Sequence, residues 1–152
     1  MKSTIFLVIS LILLSCHKKT EKKALTDHYK NWETLEIRTR SEILTISRFS
    51  DSAGYYQETD NRKLEIPSGG KKIIFTEAEK DSLGKYIYES VTQPKFTDIR
   101  ATDYAGNVIF KFDKGNMNLV CEYNSVGDWT EVSENTQKIY NLISRKIKLS
   151  KN

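Results

Sequence analysis

Apolar residues in this chain recur at two spacings, and the order in which those spacings alternate limits the fold. Leu35 to Arg40 alternates apolar with polar residues, and Ile43 to Phe49 is rich in β-branched types. Tyr55 to Thr59, Lys63 to Ile66 and Lys71 to Phe75 are further β-type runs, separated by turns at Asp51-Ser52-Ala53-Gly54, Asp60-Asn61 and Pro67-Ser68-Gly69-Gly70. The period then changes to that of a helix. Thr76 and Glu79 form a capping box, Ala78, Leu83, Ile87 and Val91 trace a core-facing stripe, and Pro94 ends the element. Gly84 inside it costs about 1 kcal/mol relative to Ala. Strands return at Phe96 to Thr102, Val108 to Phe112 and Met117 to Tyr123, joined through Asp103 to Asn107 and Asp113 to Asn116. Val108, Phe110 and Phe112 share one strand face, as do Met117, Leu119, Cys121 and Tyr123. Ser133 caps a last helix with the stripe Ile139, Leu142, Ile143 and Ile147, and Arg145, Lys146 and Lys148 suit its dipole. This order predicts an α+β fold: an antiparallel meander sheet with two helices packed on one face, and a loose repeat of the unit three strands then helix.

Ahead of that pattern, Lys2 precedes an apolar run from Ile5 to Leu14 broken only by Ser10. The run is too short for a membrane span, which takes roughly 20 apolar residues as a helix. It ends in Leu13-Leu14-Ser15-Cys16, with Leu at −3, a small residue at −1 and Cys at +1. The segment resembles the signal and lipobox of bacterial lipoproteins. The resemblance implies a cleaved signal peptide at 1–15, a diacylglyceryl group on the Cys16 thiol, acylation (palmitate) of its new amino terminus, and a basic tether over 16–25. A single α+β domain then occupies 26–152. Each buried CH₂ contributes about 0.8 kcal/mol, so one acyl chain holds marginally and two or three hold firmly. By the same resemblance, His17 rather than Asp after the lipidated Cys implies an outer-membrane address in a two-membrane cell, and the absence of the acidic run that directs Bacteroidota lipoproteins to the cell surface implies a domain facing the periplasm; in a single-membrane bacterium it would face outward from the cytoplasmic membrane. The element order from Ile43 to Ile147 is also similar to a family of small Bacteroidota lipoproteins of unknown function.

Charge follows the same partition. Lys18, Lys19, Lys22 and Lys23 stand against Glu21, while Thr26 to Asn152 holds 19 basic and 19 acidic residues. Lysines beside a lipid anchor lie within a Debye length of anionic headgroups, each worth about 1 kcal/mol there. A neutral domain without a basic patch gives no reason to expect nucleic acid. With Cys16 spent on lipid, Cys121 is left unpaired, and its alternation with apolar neighbours predicts a buried, inert thiol.

Catalytic patterns are scarce. The two histidines are His17, in the tether, and His28, which leaves His28 alone for any triad. No G-x-S-x-G, P-loop, H-E-x-x-H or C-x-x-C occurs, so no metal and no cofactor is expected. Asp103 and Asp113 read as turn residues, and Asp113 to Asn118 lacks the spacing of a calcium loop. The candidate contact residues are Tyr55 and Tyr56, adjacent on a strand and hence on opposite faces, and Asp128-Trp129 at the entry to the last helix. Against this stands the ordinary fate of Trp and Tyr in a small domain, which is burial.

The expected function is therefore a lipid-anchored, non-enzymatic binding module. It would meet an envelope protein or a cell-wall glycan through those aromatics, with the membrane held by the N-terminal lipid. A narrower form is an inhibitor or immunity protein against a periplasmic hydrolase, where tethering raises local concentration. The alternative class, a carboxylate-dependent cell-wall enzyme, requires two converging acids and a perturbed pKa in a cleft. A purely structural lipoprotein would need neither.

Overall fold

The computed structural model describes residues 28–58, 64–65, 72–95, 107–124 and 127–151. Two compact units divide at Asn31. In the first, the described element is a single 3₁₀ turn, His28–Lys30, with Tyr29 half-buried. The second begins at Trp32 and holds β1 (Thr34–Arg38), β2 (Glu42–Ser47), β3 (Gly54–Glu58), β4 (Leu64–Glu65), α1 (Glu77–Thr92), β5 (Asn107–Lys114), β6 (Met117–Asn124), a 3₁₀ turn at Trp129–Glu131 and α2 (Glu134–Ile143).

The strands form one open antiparallel sheet in the order β4-β3-β2-β1-β5-β6. β1 to β4 run as a meander, and the hairpin β5-β6 returns to the free side of β1. Register assigns the faces. Leu35 lies between Ile46 and Phe112, and Ile37 lies between Leu44 and Phe110, so these residues share an inner face with Val108, Cys121 and Tyr123. Leu35, Ile37, Leu44, Val108, Phe110 and Phe112 have no exposed surface. Both helices cover this face: Leu83 and Ile87 of α1 and Ile139 and Ile143 of α2 join the same core. Aromatic edges lock the layers, with Tyr88 of α1 5.1 Å from Phe112 and Trp129 between Phe110 at 5.8 Å and Tyr140 of α2 at 5.6 Å. The α+β architecture with both helices on one face is thus the one that the alternating periods predict.

Helix starts follow local chemistry. Thr76 accepts from the Glu79 N–H while the Glu79 carboxylate accepts from the Thr76 N–H, and Ser133 with Thr136 repeats the reciprocal pair. The stripes differ from the sequence reading. Ala78 is exposed, and the α1 stripe is headed by Lys80, buried with its ammonium donating to the carbonyls of Arg48 (3.2 Å) and Ser50 (2.9 Å) and to Glu77 (3.1 Å). A lysine reaches the core here because all three of its donors find acceptors. α2 stops at Ile143, so Arg145, Lys146 and Lys148 lie beyond its last turn, and Lys146 pairs instead with Glu79 of α1 at 3.2 Å. The expected strand at 71–75 is, among the described residues, a single bridge from Ile73 to Ala53. Asp113 is a strand residue and not a turn residue. The expected strand at 96–102, the turns at 60–61, 67–70 and 103–106, and the signal and tether lie outside the described residues.

Candidate interaction face

Four side chains carried the expectation of contact, and the fold separates them. Trp129 is fully buried, with its indole N–H donating to the Ser150 carbonyl at 2.8 Å, so it cannot serve as an exposed anchor. This corrects the sequence expectation: the 3₁₀ turn points the ring between Phe110 and Tyr140. Asp128 is a cap. It accepts from the Thr130 N–H at 2.8 Å and pairs with Lys151 at 3.1 Å. Burial works against its charge, but the Thr130 and Lys151 hydrogen bonds outweigh that and hold its pKa low.

Tyr55 and Tyr56 do take opposite faces. Tyr55, opposite Leu44, points inward and is half-buried. Its hydroxyl donates to Glu42 at 2.5 Å, and burial first, then that hydrogen bond and the Glu42 charge, push its pKa upward. Glu42 sits buried in the inner-face phase of β2, accepting also from the Thr39 hydroxyl (3.3 Å) and the Ser150 N–H. The contact-residue reading missed this carboxylate. Its sequence signal was phase: position 42 precedes Leu44 and Ile46 at a spacing of two.

Tyr56 alone of the four lies on the opposite face. Its ring folds back over Gly54, where an added Cβ would stand 3.1 Å from the ring. Register places it in a row across five strands: Tyr56, Ile43, Arg38, Ile109, Glu122. The next row runs Gly54, Thr45, Glu36, Lys111, Val120. Glu36 bridges the rows, bonded to Arg38 at 3.2 Å and to Lys111 at 2.9 Å, and Val120 is 52% exposed. Ile43 is buried within its row and most of its neighbours are half-buried, so the face combines aliphatic, aromatic and charged groups of both signs.

Asp113 closes this face. Its Oδ1 is buried with no hydrogen-bond partner among the described residues. Desolvation raises its pKa; Lys111 opposes this, while Glu36 and Glu33 add to it. Elsewhere, a shallow cavity of about 200 Å³ is lined by Lys72, Ile73, Ile74, Arg145 and Lys146, with no carboxylate in its wall. Cys121 lies opposite Phe110, half-buried against the core, and burial pushes its thiol pKa up. Among the described residues no group of His, Cys, Asp and Glu is arranged to hold a metal ion, and no helix is long and apolar enough to cross a membrane. No protein-family model, curated protein or solved structure matches the chain.

Proposed function

We propose that this chain is a lipid-anchored envelope protein of the outer membrane, and that its α+β domain is a non-enzymatic binding module facing the periplasm. The observation that supports the reading is the one-sided sheet: both helices and the Trp129 turn pack on the inner face, while in the two outer-face rows Glu122 and Val120 are exposed, Tyr56, Arg38, Ile109 and Lys111 are half-buried, and Ile43 is buried between its row neighbours. A protein partner fits this face better than a glycan. Sugars are held by exposed aromatic platforms, and among the described residues of this face there is one ring, the half-buried Tyr56, set among aliphatic and paired charged groups that suit a flat protein surface. The contact set is accordingly Tyr56, Ile109, Arg38 and Lys111.

The experiment is capture from envelope extract with the full detergent-solubilised chain as bait. One stoichiometric protein should be retained by the wild type and lost with the double variant Y56A/I109S, whose substitutions leave the inner core intact. Equal recovery by wild type and variant would refute the face as the contact surface.

A further inference from the structure

β6 is the last strand of the sheet, eight residues long and paired to β5 along its whole length without a bulge. Gly115 and Asn116 alone join the two strands, with Lys114 opposite Met117 and Gly115 at φ +54°. A two-residue connection closes on a hydrogen-bonded pair, and the antiparallel ladder alternates from there. Met117, Leu119, Cys121 and Tyr123 therefore spend their backbone groups on β5, while Asn118, Val120, Glu122 and Asn124 turn theirs outward. Among the described residues no strand receives them. Natural edges of this length are blunted with lysine, proline, a bulge or an inward charge. β6 has none of these: its one charged residue is Glu122, on the outer face, and Val120 and Met117 are 52% and 37% exposed.

We propose that this edge pairs with β6 of a second copy of the chain, antiparallel, about a twofold axis through Val120. The side chains select that occupant and that register. Centring on Val120 sets it against Val120 of the second copy, covering the exposed valine with its equal. Asn118 then faces Glu122 of the second copy, an amide donor against a carboxylate, on both sides of the axis. Leu119 faces Cys121 on the inner face. Centring on Glu122 would oppose two carboxylates, and centring on Leu119 or Cys121 would set Val120 against Asn118 or Glu122. The pairing supplies about six backbone hydrogen bonds and joins two sheets into one. It is a small interface, so association depends on concentration, which anchoring in a membrane raises. The inference is independent of the partner face above, because it needs no other protein.

Cysteine cross-linking of the full chain in detergent tests it. In a C121S background that keeps Cys16, V120C should give a disulfide-linked dimer on mild oxidation. N118C and E122C should not, since each lies about 13 Å along the strand from its own twofold mate. C121S alone sets the baseline. In light scattering the wild type should pass from monomer to dimer with concentration, and V120K, which opposes two ammonium groups, should weaken association about tenfold or more with an unchanged circular dichroism spectrum. A cross-linking maximum at any other position, equal linkage at all three, or a monomer at every concentration overturns the proposal.

Discussion

Glu42 and Trp129 show how a side chain's phase and partners decide its role. Glu42 is a buried acid that collects three donors, from Tyr55, Thr39 and Ser150. E42A leaves all three without their acceptor and should cost about 2–4 kcal/mol in urea denaturation, with E42Q recovering part of that because it keeps one carbonyl oxygen. W129A removes a ring packed between Phe110 and Tyr140 and should cost about 3–5 kcal/mol, far beyond the effect of trimming a surface contact. Burial is the ordinary fate of a tryptophan such as Trp129, but its place between Phe110 and Tyr140 was not legible in the sequence, because a single aromatic in a loop has no periodic neighbours to assign it a side. The opposite faces of Tyr55 and Tyr56 were legible, since strand alternation alone dictates them. Asp113 gives a pH-dependent test. Its folded pKa is raised, so the folded state holds a proton more firmly than the unfolded chain, and stability from this group is lost as pH rises above the ordinary Asp range. D113N should therefore raise the urea midpoint at neutral pH. The gain should vanish near pH 3, where the carboxyl is protonated in both states. A lower midpoint at neutral pH would mean that attraction to Lys111 outweighs desolvation.

At the scale of elements, the capping boxes of α1 and α2 were readable because each satisfies its donors within four residues of chain. The segment after α2 was not, because its structure rests on distant partners. Leu149 is buried, the Ser150 N–H reaches Glu42, the Ser150 and Lys151 carbonyls accept from Trp129, and Lys151 pairs with Asp128. This short strap therefore ties β2 to the Trp129 turn without any regular hydrogen-bonding of its own. Deleting Leu149–Asn152 should destabilise the domain by about 3–5 kcal/mol, as the loss of a buried leucine combined with orphaned polar groups predicts. A truncated chain as stable as the intact one would show that the strap rests on the fold without holding it. The same dependence on distance bears on residues 72–75: among the described residues Ile73 pairs with Ala53 in a single bridge, a long-range contact that pattern alone cannot supply.

For the whole molecule, sidedness and charge partition point the same way. The helices take one face of the sheet, and the excess positive charge sits outside the balanced stretch from Thr26 onward, beside Cys16. In the proposed envelope protein the domain contributes no net attraction to an anionic membrane, so retention there must come from the N-terminal segment. Four lysines near headgroups are worth about 1 kcal/mol each and are screened by salt, whereas two or three acyl chains bury enough CH₂ groups to hold at any ionic strength. The two sources of retention therefore separate cleanly. In a bacterial host the full chain should incorporate labelled palmitate and remain in the membrane fraction through a high-salt wash. C16S should lose the label and no longer withstand that wash, while replacing Lys18, Lys19, Lys22 and Lys23 with Gln should leave label and salt-resistant retention unchanged. If C16S stays on the membrane through the wash, lipid is not the anchor. If the lysine variant is washed off despite its label, charge carries more of the attachment than two acyl chains allow.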